Sequence, residues 1–154
     1  MAHDSHESTT RRSHEWQRLR QCYVLGDFFQ DVDFKDATID AFIERIIETN
    51  SMPLCLAEII YSKSLKNSPH RKLVQDLTVS CMNRATFGEL NLPSMSSDFL
   101  TDVLVAVGSR LAQGIELQTV QAFLGEKGPC QYHEHTVRGT PCYKIRFTAK
   151  YRQI

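Results

Sequence analysis

DFKDATIDAFIERIIETN, residues 33–50, is the stretch with the clearest helical pattern in the sequence. Its apolar residues recur at spacings of three and four, which places them on one face of an α-helix. Asp33 is of the type that caps a helix N-terminus, and Asn50 and Pro53 interrupt the pattern. We therefore predict an amphipathic helix that buries its apolar face. The residues of that face are Phe34, Ala37, Ile39, Phe42, Ile43, Ile46 and Ile47.

The same periodicity predicts further helices on both sides of this segment. One precedes it, from Ser13 as N-cap to about Gly26. Those that follow are predicted at residues 53–64, 68–88, 98–111 and 117–124, with a loop at 91–97. Residues 1–12 are polar and lack apolar periodicity, so we expect a disordered tail there. Residues 13–127 are expected to form one helical domain of about five or six short helices.

The last segment, residues 128–154, differs in character from the helical body. Residues 131–136 and 142–148 are short runs rich in β-branched and aromatic side chains. The residues between them include a glycine and a proline, as is typical of a turn. This pattern predicts a two-stranded β-hairpin. The expected fold class is therefore mainly α, a compact array of short helices with a C-terminal β-hairpin.

The composition restricts the class of protein. With 154 residues, 42% of them hydrophobic, the chain is long enough for one domain with a sizeable core. Eighteen Lys and Arg residues balance eighteen Asp and Glu residues, so no overall positive charge attracts nucleic acid. No apolar run approaches the roughly 18–20 residues that cross a bilayer, and the N-terminus lacks the apolar region of a secretory signal. We expect a cytoplasmic or nuclear protein with no membrane partner.

Four metal-ligating residue types lie close together in the predicted hairpin, with the spacing Cys130-x2-His133-x-His135-x6-Cys142. Alternate residues of a strand share a face, so His133 and His135 would point the same way and the hairpin would return Cys142 beside them. Two thiolates and two imidazoles are a typical ligand set for structural zinc. The spacing is not a common zinc-finger pattern. We therefore favour a metal-free hairpin with solvated histidines, packed on the helices and without a cofactor. Zinc bound by these four residues and a Cys130–Cys142 disulfide remain alternatives.

The same cluster does not predict catalysis. A nucleophilic thiol needs an adjacent base, an acidic group that orients the base, and donors for the developing oxyanion, and the neighbouring sequence offers no such set. The five cysteines, an odd number, fit reduced thiols better than a disulfide framework. Asp40 and Glu44 of the central helix are interpreted as ordinary helix-surface charges. We predict a protein that is not an enzyme.

A basic and aromatic run near the C-terminus supports a second hypothesis. Lys144, Arg146 and Lys150 are interleaved with Phe147 and Tyr151, a pattern that contacts phosphates and stacks bases in some nucleic-acid-binding proteins. The same alternation is common in an edge strand with one solvated face, and the neutral net charge favours that interpretation. The alternative function is accordingly a zinc-stabilised, nucleic-acid-associated protein.

Several short segments resemble a known family. CYVLGDFF at residues 22–29 and FKDA at 34–37 are similar to the last helix of a BTB/POZ domain and its neighbour in fungal proteins. IIY at 59–61 and LVQDL at 73–77 resemble the helical extension that follows this domain. The resemblance covers residues 14–148, while the BTB core that would precede the first helix is missing. It implies a protein-protein interaction or adaptor module, whose partners include a second copy of the chain.

Overall fold

The computed structural model describes residues 4–53, 55–81, 95–114 and 116–151. Within these residues the chain forms helices and turns, with no strand. The eight helices are α1 (Asp4–Phe28), α2 (Val32–Thr49), α3 (Cys55–Lys63), α4 (Pro69–Cys81), α5 (Ser97–Leu111), α6 (Val120–Gly125), α7 (His135–Arg138) and α8 (Tyr143–Tyr151). The mainly α class is confirmed. None of the helices in these residues has the length and apolar character to cross a membrane.

Helix α2 lies at the centre of the hydrophobic core. Its Ile39, Phe42 and Ile46 side chains are almost completely buried, and Trp16 of α1 stacks on Phe42 with the ring centroids 6.1 Å apart. Helices α3 and α4 pack beside this pair, and α5 and α6 pack against α4. Burial of such apolar surface is the main favourable contribution to folding. The buried side chains of these outer helices include Leu56, Ile60, Leu73, Leu77, Phe99 and Phe123.

Helix α2 begins two residues earlier than the sequence pattern indicates. Asp31 is the N-cap, because its backbone is extended and its carboxylate oxygen accepts a hydrogen bond from the Phe34 N–H at 3.0 Å. Asp33 lies in the first turn, where a negative charge interacts favourably with the helix dipole. At the other end Asn50 takes the left-handed conformation with φ of 48°, and its N–H is directed to the Ile46 and Ile47 carbonyls.

Other helix ends also differ from the expected positions. Helix α1 begins at Asp4, within the stretch 1–12 for which we expected a tail. Helix α6 begins at Val120, because the Thr119 hydroxyl caps it by accepting the N–H of Ala122. Residues 82–94 lie outside the described residues, so they include both the predicted end of the fourth helix near Gly88 and most of the loop predicted at 91–97.

The predicted C-terminal β-hairpin is wrong. Residues 128–134 form consecutive turns, α7 ends at Gly139 with φ of 67°, and α8 begins directly after Cys142. The Cys142 carbonyl accepts the N–H of Arg146, which is an intrahelical bond that a strand could not make. The aromatic and β-branched run thus lies on a short helix, because contacts with α2 outweigh its local preference for strand.

Candidate metal centre

Cys130, His133, His135 and Cys142 meet in one cluster beside α2. One ligand atom from each of them lies within 4.8 Å of the others. Cys142 and both histidines are buried, and Cys130 is half-buried. The turns at 128–134 place the first two side chains, α7 begins at the third, and the fourth immediately precedes α8. The sequence predicted these four residues together on a β-hairpin, whereas they lie on turns and at helix ends. The cluster could hold a metal ion.

The outer nitrogens of both imidazoles face hydrogen-bond acceptors. His133 Nε2 lies 2.8 Å from Asp40 Oδ1, and His135 Nδ1 lies 3.1 Å from the carbonyl oxygen of Thr140. A carboxylate and a carbonyl accept hydrogen bonds but donate none, so each of these nitrogens carries the proton. When both imidazoles are neutral, the remaining nitrogens, Nδ1 of His133 and Nε2 of His135, therefore carry a lone pair and no hydrogen.

Those two lone pairs point towards each other across 3.3 Å. Two nitrogens bound to one tetrahedral zinc ion at the usual bond length are about 3.3 Å apart. With both outer nitrogens committed as donors, a proton or a cation between the rings is needed to make this approach favourable. The arrangement of two buried imidazoles with fixed outer partners is that of metal-ligating histidines, whose second nitrogen usually donates to a carboxylate or a carbonyl.

The two thiols complete the ligand set, and all five cysteines of the chain are free. Burial by itself raises the pKa of Cys142, but the backbone N–H of Lys144, with Cys130 and His133, lowers it below the ordinary value. Burial and the neighbouring sulfur of Cys142 raise the pKa of Cys130. The environment thus favours one thiolate over the other. Metal binding would release the proton of the second thiol.

Asp40 of α2 connects the Cys/His cluster to α8. Its two carboxylate oxygens accept hydrogen bonds from His133 Nε2, from the Tyr143 hydroxyl at 2.5 Å and from Lys144 Nζ at 2.8 Å. Burial opposes its charge, but the three hydrogen bonds lower the pKa of Asp40 to about 2. The carboxylate is therefore ionised and fixed. Interpreting Asp40 as an ordinary surface charge was wrong.

A second carboxylate, Asp36, holds the backbone of the cluster from one helical turn earlier. It is fully buried, and its oxygens accept the N–H groups of Glu134 at 2.7 Å and His135 at 3.2 Å, and Nε2–H of His70 at 3.0 Å. Although burial opposes ionisation, these donors lower the pKa of Asp36. Asp36 therefore anchors the start of α7, which carries the ligand His135.

The side chain of His70 links this carboxylate to α1. Its Nδ1 lies 2.8 Å from the Tyr23 hydroxyl, which donates the hydrogen bond because Nε2 already carries the proton that Asp36 accepts. Burial lowers the pKa of His70, which favours this neutral form. The chain Tyr23–His70–Asp36 was not recognised from the sequence. The one available signal was Asp36 itself, a charged residue in register with Ile39, Ile43 and Ile46 on the apolar face of α2.

Replacing Asp40 with asparagine is expected to weaken zinc binding by about 10- to 100-fold, the usual effect of losing a carboxylate that orients a ligating histidine. Asparagine retains the volume but removes the charge that holds Nε2–H of His133. Competition titration with a chromophoric chelator measures the change. Glu44→Gln, one turn away on α2, is the matched control and should bind zinc like the unmodified chain. Equal affinities for Asp40→Asn and the control would contradict the role of Asp40.

The described residues form a helical domain with a group of two cysteines and two histidines, largely buried, that could hold a metal ion. Comparison with known proteins adds no relative: no protein-family model, no curated protein and no solved structure matches the chain. The resemblance to the helical extension of fungal BTB/POZ proteins therefore stays a prediction.

Proposed function

We propose that this chain is a non-catalytic protein-binding module whose C-terminal segment is fastened to the helical body by a structural zinc ion. Cys130, His133, His135 and Cys142 would be the ligands. The observation that carries the proposal is the 3.3 Å approach of His133 Nδ1 to His135 Nε2 inside the cluster, while the outer nitrogen of each ring faces a fixed acceptor. Four protein ligands satisfy a tetrahedral zinc ion without an open position for a substrate.

Zinc fits this ligand set better than calcium or magnesium. Thiolate and imidazole together favour zinc, whereas calcium and magnesium require oxygen ligands. When bound, the ion would neutralise the two thiolates and tie residues 130–142 into one structural unit. Asp36 and Asp40 would connect that unit to α2 through its backbone N–H groups and His133.

The protein-binding part of the proposal rests on the sequence resemblance and on the closed ligand set. A site with four protein ligands is typical of metal ions that stabilise interaction modules. The alternative, a zinc-stabilised nucleic-acid-associated protein, depends on the basic residues of α8. Its Lys144 and Arg146 side chains form ion pairs with Asp40 and Asp33, which reduces the positive charge offered to phosphates.

Metal analysis of the purified full chain tests the zinc site. We expect about one zinc ion per chain after exhaustive dialysis, and we expect a strong chelator to make residues 128–151 sensitive to limited proteolysis. A DNA-binding assay at low salt on the same sample tests the alternative, since phosphate contacts are strongest there. A chain that retains no zinc and whose proteolysis is unchanged by the chelator would contradict the zinc part of the proposal.

A further inference from the structure

A cleft of about 450 Å³ lies on the side of the molecule where the α3–α4 loop faces α7. The loop, residues 64–68, forms one wall, and Val137 and Arg138 of α7 form another. The ends of α1 and α2 close its floor through Asp27 and Lys35. Helix α7 therefore contributes to both the cleft and the Cys/His cluster. His135, its first residue, lies in the cluster, and Val137 and Arg138 line the cleft.

One buried lysine on the floor of the cleft contacts two carboxylates. Lys35 Nζ lies 3.3 Å from Asp27 Oδ1, 3.6 Å from Glu134 Oε1 and 3.0 Å from the carbonyl oxygen of Lys63. Glu134 Oε1 also accepts the Ser68 hydroxyl at 3.2 Å. Both acidic groups of the lining are thus engaged by partners within the protein. The lining also contains Lys63, Lys66 and Arg138, so four basic groups in the cleft outnumber these two acidic groups.

The loop wall is held in one conformation by Arg71. Its guanidinium donates to the carbonyl oxygens of Tyr61 and Ser64 at 3.0 and 2.8 Å, and to the Ser64 hydroxyl at 3.2 Å. Asn67 then takes the left-handed conformation with φ of 66° and returns the chain to α4. A surface that is already ordered loses little entropy when a ligand binds.

The rim combines positive charge with exposed apolar side chains. Lys63 and Lys66 are exposed on the loop wall, and Arg138 is half-exposed on α7, where its nearest acidic group is Glu134 at 3.9 Å. Leu65 is 80% exposed and Val137 is 71% exposed on the two facing walls. Large apolar side chains exposed in pairs beside a preformed cleft are typical of recognition sites.

We propose that this cleft binds a short acidic peptide segment of a protein partner, with an apolar side chain of the peptide between Leu65 and Val137 and its carboxylates beside Lys63, Lys66 and Arg138. The inference rests on the proposed function, because it gives that protein-binding module its surface and its class of partner. A peptide fits better than a nucleic acid. A polyanion has no apolar side chain to place between the two walls, whereas a peptide can supply one beside its carboxylates.

The inference is tested with a defined probe on the zinc-loaded full chain. The probe is the fluorescein-labelled peptide Glu-Asp-Leu-Glu-Asp-Leu-Glu-Glu, and its control carries Gln and Asn in place of every acidic residue. We expect the acidic peptide to bind with a Kd of about 10–100 μM at low salt and more weakly as salt rises, while the neutral peptide binds at least about tenfold more weakly.

Two variants and a matched control locate the binding. The triple change Lys63→Glu, Lys66→Glu and Arg138→Glu should weaken peptide binding more than about tenfold, and Leu65→Ser about threefold to tenfold. Lys72→Glu, an exposed lysine on α4 outside the cleft, should leave it unchanged. Equal binding by the triple variant, a Kd above about 1 mM for the acidic peptide, or preferential binding of a DNA duplex would overturn the inference.

Zinc content is measured on the same samples, so that the two proposals fail separately. A chain that retains zinc but does not bind the acidic peptide overturns only the inference about the cleft. A chain that binds the acidic peptide but retains no zinc overturns only the zinc part of the proposed function. Circular dichroism of each variant excludes unfolding as the cause of lost binding.

Discussion

Cys142→Ser is expected to lower the affinity for zinc by about 100- to 1,000-fold and to release the C-terminal segment from the helical body. The binding free energy of a structural zinc ion is about 10–16 kcal/mol, so one of four ligands accounts for about 2.5–4 kcal/mol. Cys142 is 5% exposed, and its sulfur lies within 4.8 Å of the other three ligand atoms. In the serine variant, water would have to replace the Cys142 sulfur as a ligand, but the buried surroundings would solvate that water poorly.

The measurement combines chelator competition with limited proteolysis of the same protein. Cys22→Ser is the matched control, because Cys22 is a half-buried thiol on α1 that does not belong to the cluster. We expect the control to retain both zinc and resistance to protease. The prediction is contradicted if Cys142→Ser and Cys22→Ser bind zinc equally well.

The second large effect is expected from Asp36→Ala, which should lower the free energy of unfolding by about 3–5 kcal/mol. The change removes the acceptor of Nε2–H of His70 and of the N–H groups of Glu134 and His135, and leaves these donors buried without a partner. Because the start of α7 loses its anchor, zinc affinity should fall as well even though every ligand is retained.

Urea denaturation monitored by circular dichroism measures this loss. Glu48→Ala is the control on the same helix, since Glu48 is an exposed partner of Arg45 and such a pair contributes about 0–1 kcal/mol. A loss below about 1 kcal/mol for Asp36→Ala would contradict the structural role assigned to it. If the variant shows the expected loss of stability but unchanged zinc affinity, Asp36 stabilises the core without affecting the cluster.

The helical body could be predicted from the sequence because its signal is local. In α2 the spacing of Ile39, Phe42 and Ile46 alone identifies the buried face, and burial of that face is what stabilises the helix in the core. The ends of helices were less accurate. Asp31 and Asp33 are equally suitable caps by residue type, and only the geometry of the turn after α1 selects the first.

The C-terminal segment could not be predicted in the same way because its structure depends on distant contacts. The run from Tyr143 to Phe147 has the residue types of a strand, yet Tyr143 and Lys144 both bind Asp40, and α8 packs against α2. The four clustered residues were recognised because Cys and His together are chemically distinctive. Whether they hold zinc stays a prediction. Their supporting carboxylates were not recognised, since an Asp in a helix has many ordinary roles.

The contacts of α2 with the cluster also determine when the chain can finish folding during its synthesis. Asp36 and Asp40 accept hydrogen bonds from residues 93 to 103 positions later in the sequence. A chain growing from its N-terminus therefore assembles its central helix long before the groups that satisfy these two carboxylates leave the ribosome. Until then the charge of Asp40 stays solvated and Asp36 has His70 as its partner, while the turns that cover this side of α2 are not yet present. A nascent chain that stops before residue 133 should expose this side of α2 and be a substrate for chaperones or proteases. Completion of the fold therefore depends on the residues that contact Asp36 and Asp40 from the C-terminal segment.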